Sequence, residues 1–224
     1  MSSRESFQRH RPGVVTGLIA EARLAAPLGL ALAGGGGPAG AALAAERLVA
    51  QGVSSLVSFG LCGGLDPSLR AGTLVVPREV IATGRRYATC PRLSAAVGGW
   101  SAQSLLAGHQ TVADPASKRR QFAETGASAI DLESGAVAEV AARAGIPFTV
   151  LRAVCDPAEA WIPPAALTAL DALGAISIWS VVVSLLRHPG QIFHLIALGR
   201  AAGAARAALI RRVGDISDGR LLVP

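Results

Sequence analysis

Short apolar runs alternate with helix-length segments along most of this chain, and that alternation constrains its fold more than any other feature. Val14–Thr16, Leu28–Ala33, Ser55–Phe59, Thr73–Val76 and Phe148–Val154 are runs of strand length bounded by turn-forming residues. Runs of this kind read as strands buried on both faces. Ala129–Leu132 reads as a further strand leading into a helix. Pro38–Gln51 begins on a proline at the first helical position and is followed by Gly52, and Glu133–Ala144 is closed by Gly145. Proline just inside the start and glycine just past the end are the ordinary boundaries of a helix. The pattern predicts a layered α/β fold with a largely parallel sheet.

At 224 residues the chain is expected to form a single domain, residues 1–224, with its core at about 12–160. The composition shifts after Trp161-Ile162-Pro163-Pro164, and residues 163–213 read as an apolar helical C-terminal region. Between Arg187 and Arg212 it carries five arginines (Arg187, Arg200, Arg206, Arg211, Arg212) and no acidic residue. That region is either an elaboration packed on the domain or a set of terminal helices with a solvated basic face. Within it, Ile176–Leu186 is apolar but interrupted by Ser177, Ser180 and Ser184. It is well short of the roughly 20 residues that a membrane span needs.

The chain is 51% apolar and 16% charged, yet it carries a net charge of +6. Such a balance points to acidic partners: nucleic acid, phosphate or an anionic membrane. A single tyrosine and the lack of a long Lys/Arg run argue against nucleic acid. Cys62, Cys90 and Cys155 are odd in number and lack CxxC spacing, so no disulfide framework is expected. The four histidines show no metal-ligand spacing, and no metal is expected. The polar stretch Met1–Pro12 does not read as a leader, and the expected compartment is the cytoplasm.

Gly34-Gly35-Gly36-Gly37-Pro38-Ala39-Gly40 lies between a strand and a helix and contains GxGxxG spacing. A dinucleotide site would also need an acidic residue at the end of the next strand. That strand ends Val57-Ser58-Phe59-Gly60, with no carboxylate. The loop therefore reads as a close-approach turn near a ribose, a phosphate or a water. Gly60-Leu61-Cys62-Gly63-Gly64 reads as a second turn after a strand, so that the two turns line one crevice.

With only 15 acidic residues, those at strand ends stand out. Asp156 closes Phe148–Val154 after Cys155, Glu133 follows Ala129–Leu132, and Glu21 follows Val14–Gly17 and Leu18. Each alone also fits a helix cap or an ion pair, and for Glu133 capping is a direct competitor.

These residues carry a resemblance. Asp131-Leu132-Glu133-Ser134 followed by Ile146-Pro147-Phe148-Thr149-Val150-Leu151-Arg152-Ala153-Val154-Cys155-Asp156 resembles the pattern of methylthioadenosine/S-adenosylhomocysteine nucleosidases, with Leu132 in place of Met and Cys155 in place of Ser. Gly60–Leu65 with Gly72–Val76 resembles their Gly-Ser-Ala-Gly-Gly loop and following strand, and Gly17–Glu21 resembles their Ala-Met-x-x-Glu opening. The match runs over about residues 12–160. Within that wider group of nucleoside phosphorylases and nucleosidases, the Gly17–Arg23 opening, the four-glycine-proline loop and the apolar C-terminal region are most similar to a hopanoid-associated branch. That branch is linked to removing adenine from adenosylhopane, a lipid nucleoside.

The resemblance implies a three-layer α/β/α fold with a central mixed, mostly parallel twisted sheet. It implies cleavage of an N-glycosidic bond of an adenosine-type nucleoside without a cofactor, and assembly as a homodimer or higher oligomer. Asp156 would be the general acid toward the base and Glu133 would bind the ribose hydroxyls. Arg152 would lie beside the attacking group, and Glu21 would orient water. Leu18, Gly36, Leu61, Cys62, Gly63, Val112, Leu132 and Trp161 would contact substrate, with Leu18 and Leu132 as walls against the sugar. Purine phosphorylases of the group have Arg where this chain has Glu21, and Arg and Ser where it has Ser58 and Leu61. A carboxylate at Glu21 favours hydrolysis, whereas Arg23 and the Gly34–Gly37 amides would serve phosphate as a co-substrate. Leu61 departs from the nucleosidases' Ser, and no aromatic residue stands at Val112–Asp114 to stack on the base. A lipid substrate and five arginines together imply peripheral contact with an anionic membrane.

Overall fold

Two of the runs read as buried strands become the two longest strands, β3 (Ser55–Gly64) and β9 (Phe148–Asp156), and they run in parallel side by side. Their register runs from Leu56 opposite Phe148 to Gly63 opposite Asp156, with a shift between Cys62 and Gly63. The computed structural model describes residues 11–162 and 192–217; the expected segment Ile176–Leu186 and Arg187 lie outside the described residues.

Around this pair the sheet is mixed. β1 (Pro12–Thr16) lies between β2 (Leu30–Ala33) and β3, parallel to both. On the other side β7 (Ala102–Ala107), reached through the short helix α3 (Pro91–Ala96), runs parallel to β5 (Pro77–Ala82) and to β8 (Ala129–Asp131). Three pairings are antiparallel: β3 with β8, β5 with β6 (Arg85–Ala88), and β4 (Leu74–Val75) with β9.

Side chains alternate across a strand, and both faces of this sheet are covered. Val15, Leu56, Val150 and Val154 face a core closed by α2 (Pro38–Ala50) and α5 (Ser134–Ala144). In α2 the buried positions Ala41, Ala44, Ala45 and Leu48 follow helical spacing, and alanine lets the helix approach the sheet closely. Val14, Val57, Phe59, Leu151 and Ala153 face a second core closed by α1 (Ile19–Ala25) and α6 (Ile192–Ser217). The expected three-layer α/β/α architecture with a mostly parallel sheet is borne out.

From Ala205 onward α6 is part of the outer layer, since Ala205, Ala208, Leu209, Val213 and Ile216 are buried at helical spacing on the sheet. Arg200, Arg206 and Arg211 face outward, which is the solvated basic face that the sequence left as one alternative. Among the described residues no helix is long and apolar enough to cross a membrane.

Most boundaries shift by one or two residues, and three differences have a physical cause or a consequence for the site. The strand expected at Leu28–Ala33 begins at Leu30, because Pro27 lies in a 3-10 turn over Ala26–Leu28 that ends on Gly29. Thr73–Val76 is reduced to a two-residue strand. The glycine cluster Gly60–Gly64 is a continuation of β3 rather than a turn. The strands β5, β6 and β7 were not anticipated, because β5 and β6 interleave charged residues such as Arg78, Glu79, Arg85 and Arg86 with apolar ones.

Candidate active site

The carboxyl ends of β1, β3, β8 and β9 meet at one cavity of about 250 Å³. Crevices beyond strand carboxyl ends are where open α/β sheets hold ligands. Gly17, Leu18 and Glu21 enter from β1 and α1, Gly36 from the four-glycine loop, and Leu61, Cys62 and Gly63 from β3. Val112, Leu132, Glu133, Arg152 and Asp156 complete the residues singled out from the sequence. Trp161 is not among the lining residues; it is partly exposed and meets His194 of α6 edge to face, with ring centroids 5.3 Å apart.

Glu21 occupies the first turn of α1, where a carboxylate favourably meets unsatisfied N–H groups. Its Oε2 accepts from the backbone N–H of Gly17 (3.1 Å) and Leu18 (3.0 Å), and its Oε1 accepts from Leu61 N–H (3.2 Å). Both oxygens are thereby fixed in place. Burial pushes this carboxyl above its ordinary range, while Arg152 and the three N–H groups pull against it.

The glycine cluster in β3 has its explanation here. Gly60 has φ of +150°, and a β-carbon on it would stand 2.8 Å from both Glu21 Oε1 and Arg152 Nη1. A β-carbon at Gly17 would fall 2.7 Å from Glu133 Oε1. Strand and loop are bare at these points because charged groups lie directly on the backbone.

Arg152 is the hub of the cavity floor and is almost completely buried. Its Nη2 reaches Glu133 Oε2 at 2.7 Å and donates to Ser58 Oγ at 2.7 Å, and its Nη1 donates to Leu61 O at 3.2 Å. Its Nε lies 2.8 Å from Asp131 Oδ2 without hydrogen-bond alignment, so that contact is one of charge. Burial opposes the arginine's charge, but Asp131, Glu133 and Glu21 around it hold the guanidinium more firmly protonated than usual. Asp131 also accepts from the Ser134 backbone N–H (3.1 Å) and hydroxyl, and with that hydroxyl's one proton committed, Ser58 Oγ donates to Ser134 Oγ across 3.0 Å. Thus Asp131 caps α5, while Glu133 makes no side-chain cap and pairs with Arg152 instead. Three carboxyl groups share one guanidinium, and the cluster holds a proton to near neutrality. Glu133 is pushed up to about 7, first by burial and further by Asp131 and Glu21, against the pull of Arg152.

At the opposite end, Asp156 is paired with Lys118 of α4 (Pro115–Thr125), Oδ2 lying 2.7 Å from Nζ with both groups buried. Cys155 Sγ donates to Oδ1 at 3.2 Å. Burial raises the Asp156 carboxyl above its ordinary range, and Lys118 opposes that. Lys118 and Asp131 are the partners that sequence reasoning passed over. A signal for Lys118 was present: of 21 basic residues it is the single lysine.

Val112 and Ile130 line the cavity with Cys62 and Cys155. Asp114 lies just beyond Val112, where it caps α4 by accepting from Ser117 N–H at 2.8 Å. Arg23 is exposed and does not line the cavity. The Gly34 and Gly35 amides donate to the carbonyls of Thr16 and Gly17. Among the described residues no group of three or more His, Cys, Asp and Glu is placed to hold a metal ion.

The family model described as Phosphorylase superfamily matches residues 14–98 and 104–172. No curated protein matches the chain. Among solved structures, the fold is similar to futalosine hydrolase of Helicobacter pylori, at 17% identity and a TM-score of 0.66 over 93% of this chain and 99% of that one. S-adenosylhomocysteine nucleosidase of Streptococcus pyogenes, solved with 5-methylthiotubericidin, is 16% identical over 92% of this chain and 97% of that one, with a TM-score of 0.65. The 5′-methylthioadenosine/S-adenosylhomocysteine nucleosidase of Helicobacter pylori is 16% identical over 92% and 99%, with a TM-score of 0.63.

Proposed function

The chain belongs to the phosphorylase superfamily, and on that footing we propose that it is a purine nucleosidase, hydrolysing the bond between adenine and the ribose of an adenosine-type nucleoside. One observation carries the reading: Glu21, Glu133 and Asp156 converge on a single cavity whose lining cation, Arg152, is already committed to carboxylates. Cleavage of an N-glycosidic bond makes the sugar positive and the departing base negative. A site rich in carboxyl groups suits the first, and a buried acid suits the second.

Asp156 gives its proton to N7 of adenine as the C1′–N9 electron pair leaves with the base. Glu133 binds the ribose hydroxyls and stabilises the oxocarbenium-like sugar through its charge. Glu21, with both oxygens fixed by backbone N–H groups, orients a water beneath C1′ and accepts its proton. Leu18 and Leu132 form the apolar walls beside the sugar.

Phosphate as the attacking group is disfavoured on the same ground. It would need free cations and N–H donors. Arg23 is exposed outside the cavity and the Gly34 and Gly35 amides are occupied. That leaves the Gly36 and Gly37 amides with no cation beside them, among the described residues, that is not already paired with carboxylates. The decisive assay follows adenine release in phosphate-free buffer. We expect full turnover there, free ribose on the product, and a loss of about 10²-fold or more in Glu21→Gln. Strict dependence on phosphate with a ribose 1-phosphate product would overturn hydrolysis in favour of phosphorolysis.

The substrate proposed is a lipid nucleoside of the adenosylhopane type. The cavity of about 250 Å³ suits a nucleoside head, so an apolar 5′ tail must leave through the mouth. Exposed Ile19, Trp161 and Ile196 supply apolar surface, and Ile210 with Arg200, Arg206 and Arg211 lies on the outer side of α6. Apolar and basic residues together suit contact with anionic lipid. We expect adenosylhopane to be preferred over methylthioadenosine. Binding to phosphatidylserine vesicles should weaken with salt and be lost when Arg200, Arg206 and Arg211 become glutamine. A preference for methylthioadenosine together with indifference to vesicles would sink the lipid assignment and leave the bond chemistry standing.

A further inference from the structure

α4 is a polar helix, exposed at Arg119, Arg120 and Glu124, yet one of its side chains is completely buried and that one is a lysine. A buried charge is costly unless it is paired and hydrogen-bonded. Lys118 Nζ meets that requirement with four oxygens: Asp156 Oδ2 at 2.7 Å, and the carbonyls of Asp156 (3.2 Å), Pro157 (2.9 Å) and Ala160 (3.3 Å). A compact ammonium with three rotatable donors fits such a cage, whereas a planar guanidinium would not. This explains why a chain that otherwise uses arginine for every basic side chain has lysine here.

We propose that Lys118 is a positioning residue for Asp156: it fixes the carboxyl group at the base end of the cavity and holds the negative charge left there when the proton passes to the departing base. The inference rests on Asp156 being the general acid. In the step itself the Asp156 O–H bond breaks, an N7–H bond forms, and the C1′–N9 pair leaves with adenine. The resulting carboxylate stays against the ammonium. The titratable groups facing Asp156 are Lys118 from α4, Cys155 beside it on β9 and Cys62 from β3. Burial raises both thiols, so Lys118 is the positive group among the described residues that face Asp156.

A purely structural lysine, tying residues 156–160 to α4, would act on every substrate alike. The test therefore compares methylthioadenosine, whose base must be protonated to leave, with 4-nitrophenyl riboside, whose phenolate departs unaided. In Lys118→Met we expect kcat on the nucleoside to fall about 10²-fold with KM little changed. The alkaline fall of kcat/KM should move to higher pH, because an acid without its cation is weaker. On the nitrophenyl substrate the same preparation should lose less than about threefold. The ratio of the two activities does not depend on how much of the variant is folded. Equal losses on both substrates would overturn the inference while leaving the nucleosidase reading intact. A wild-type protein that releases adenine from neither methylthioadenosine nor adenosylhopane would remove both.

If Lys118→Met does not fold, the wild-type protein carries the test, with Asp156→Asn as its control. Its one lysine gives one ¹⁵Nζ resonance after lysine labelling. That resonance should move as Asp156 titrates and again when adenine binds, and the pH step should vanish in Asp156→Asn. A resonance indifferent to both overturns the proposal.

Discussion

The two ends of the cavity hold charge in opposite ways. At the end proposed to hold the sugar, Arg152 is shared among Asp131, Glu133 and Ser58, with Glu21 close by, and Ser134 ties Asp131 to Ser58. At the end proposed to hold the base, one carboxyl group meets one ammonium, Asp156 with Lys118. A shared network fixes geometry and spreads charge, so the loss of one member is partly taken up by its neighbours. An isolated pair concentrates the chemistry on a single proton. The difference fits the proposed reaction, in which the sugar end stabilises a diffuse positive charge and the base end must deliver one proton to one atom.

The largest effect should therefore come from the isolated pair. In Asp156→Asn the side-chain oxygen still accepts from Lys118, so the fold should persist, but no proton can be given. We expect kcat to fall by about 10²–10⁴-fold in a protein that still folds, with a lower unfolding midpoint because Lys118 keeps its carbonyl partners but loses its carboxylate. Stopped or steady-state adenine release beside thermal unfolding checks both halves. An Asn variant with near-normal turnover would remove Asp156 from the chemistry and make the two ends equivalent.

How far the sequence reached follows the same division. The layers were legible because apolar runs at strand length and alanine faces at helical spacing are set by burial alone, as in β9 and α2. The three carboxylates were legible because scarcity made each one at a strand end conspicuous. Gly60–Gly64 misread as a turn because glycine there answers to a neighbour distant in sequence, the Glu21 and Arg152 side chains lying on its backbone. Lys118 escaped because a hydrophobic pattern discounts a charge, and α4 otherwise looks solvated. Asp131 escaped because capping of α5 was weighed only for Glu133, the residue directly before the helix. Pairings across the fold carry no local periodicity, so the partners of Asp156 and Arg152 became visible only in three dimensions.

The smallest predicted effect probes the shared network through its proton. Glu133 has a folded-state carboxyl raised from the ordinary 4.5 to about 7 by burial and by the neighbouring Asp131 and Glu21. A carboxyl raised on folding stabilises the fold while it is protonated: that contribution is complete below about 4.5 and is lost as pH rises through about 7. Glutamine at the same position does not titrate. The stability of Glu133→Gln relative to wild type should therefore improve between pH 5 and pH 8.5, by about 3 kcal/mol at most. Urea unfolding of the two proteins at each pH measures it. Asp131 remains to pair Arg152 in the variant, so the guanidinium is not left alone and the pH-dependent part can be read cleanly. A difference that stays constant across this range would mean that Glu133 is ionised throughout and held by Arg152 alone. The network around Arg152 would then hold no proton that a single pair could not, and the contrast between the two ends would be one of geometry alone.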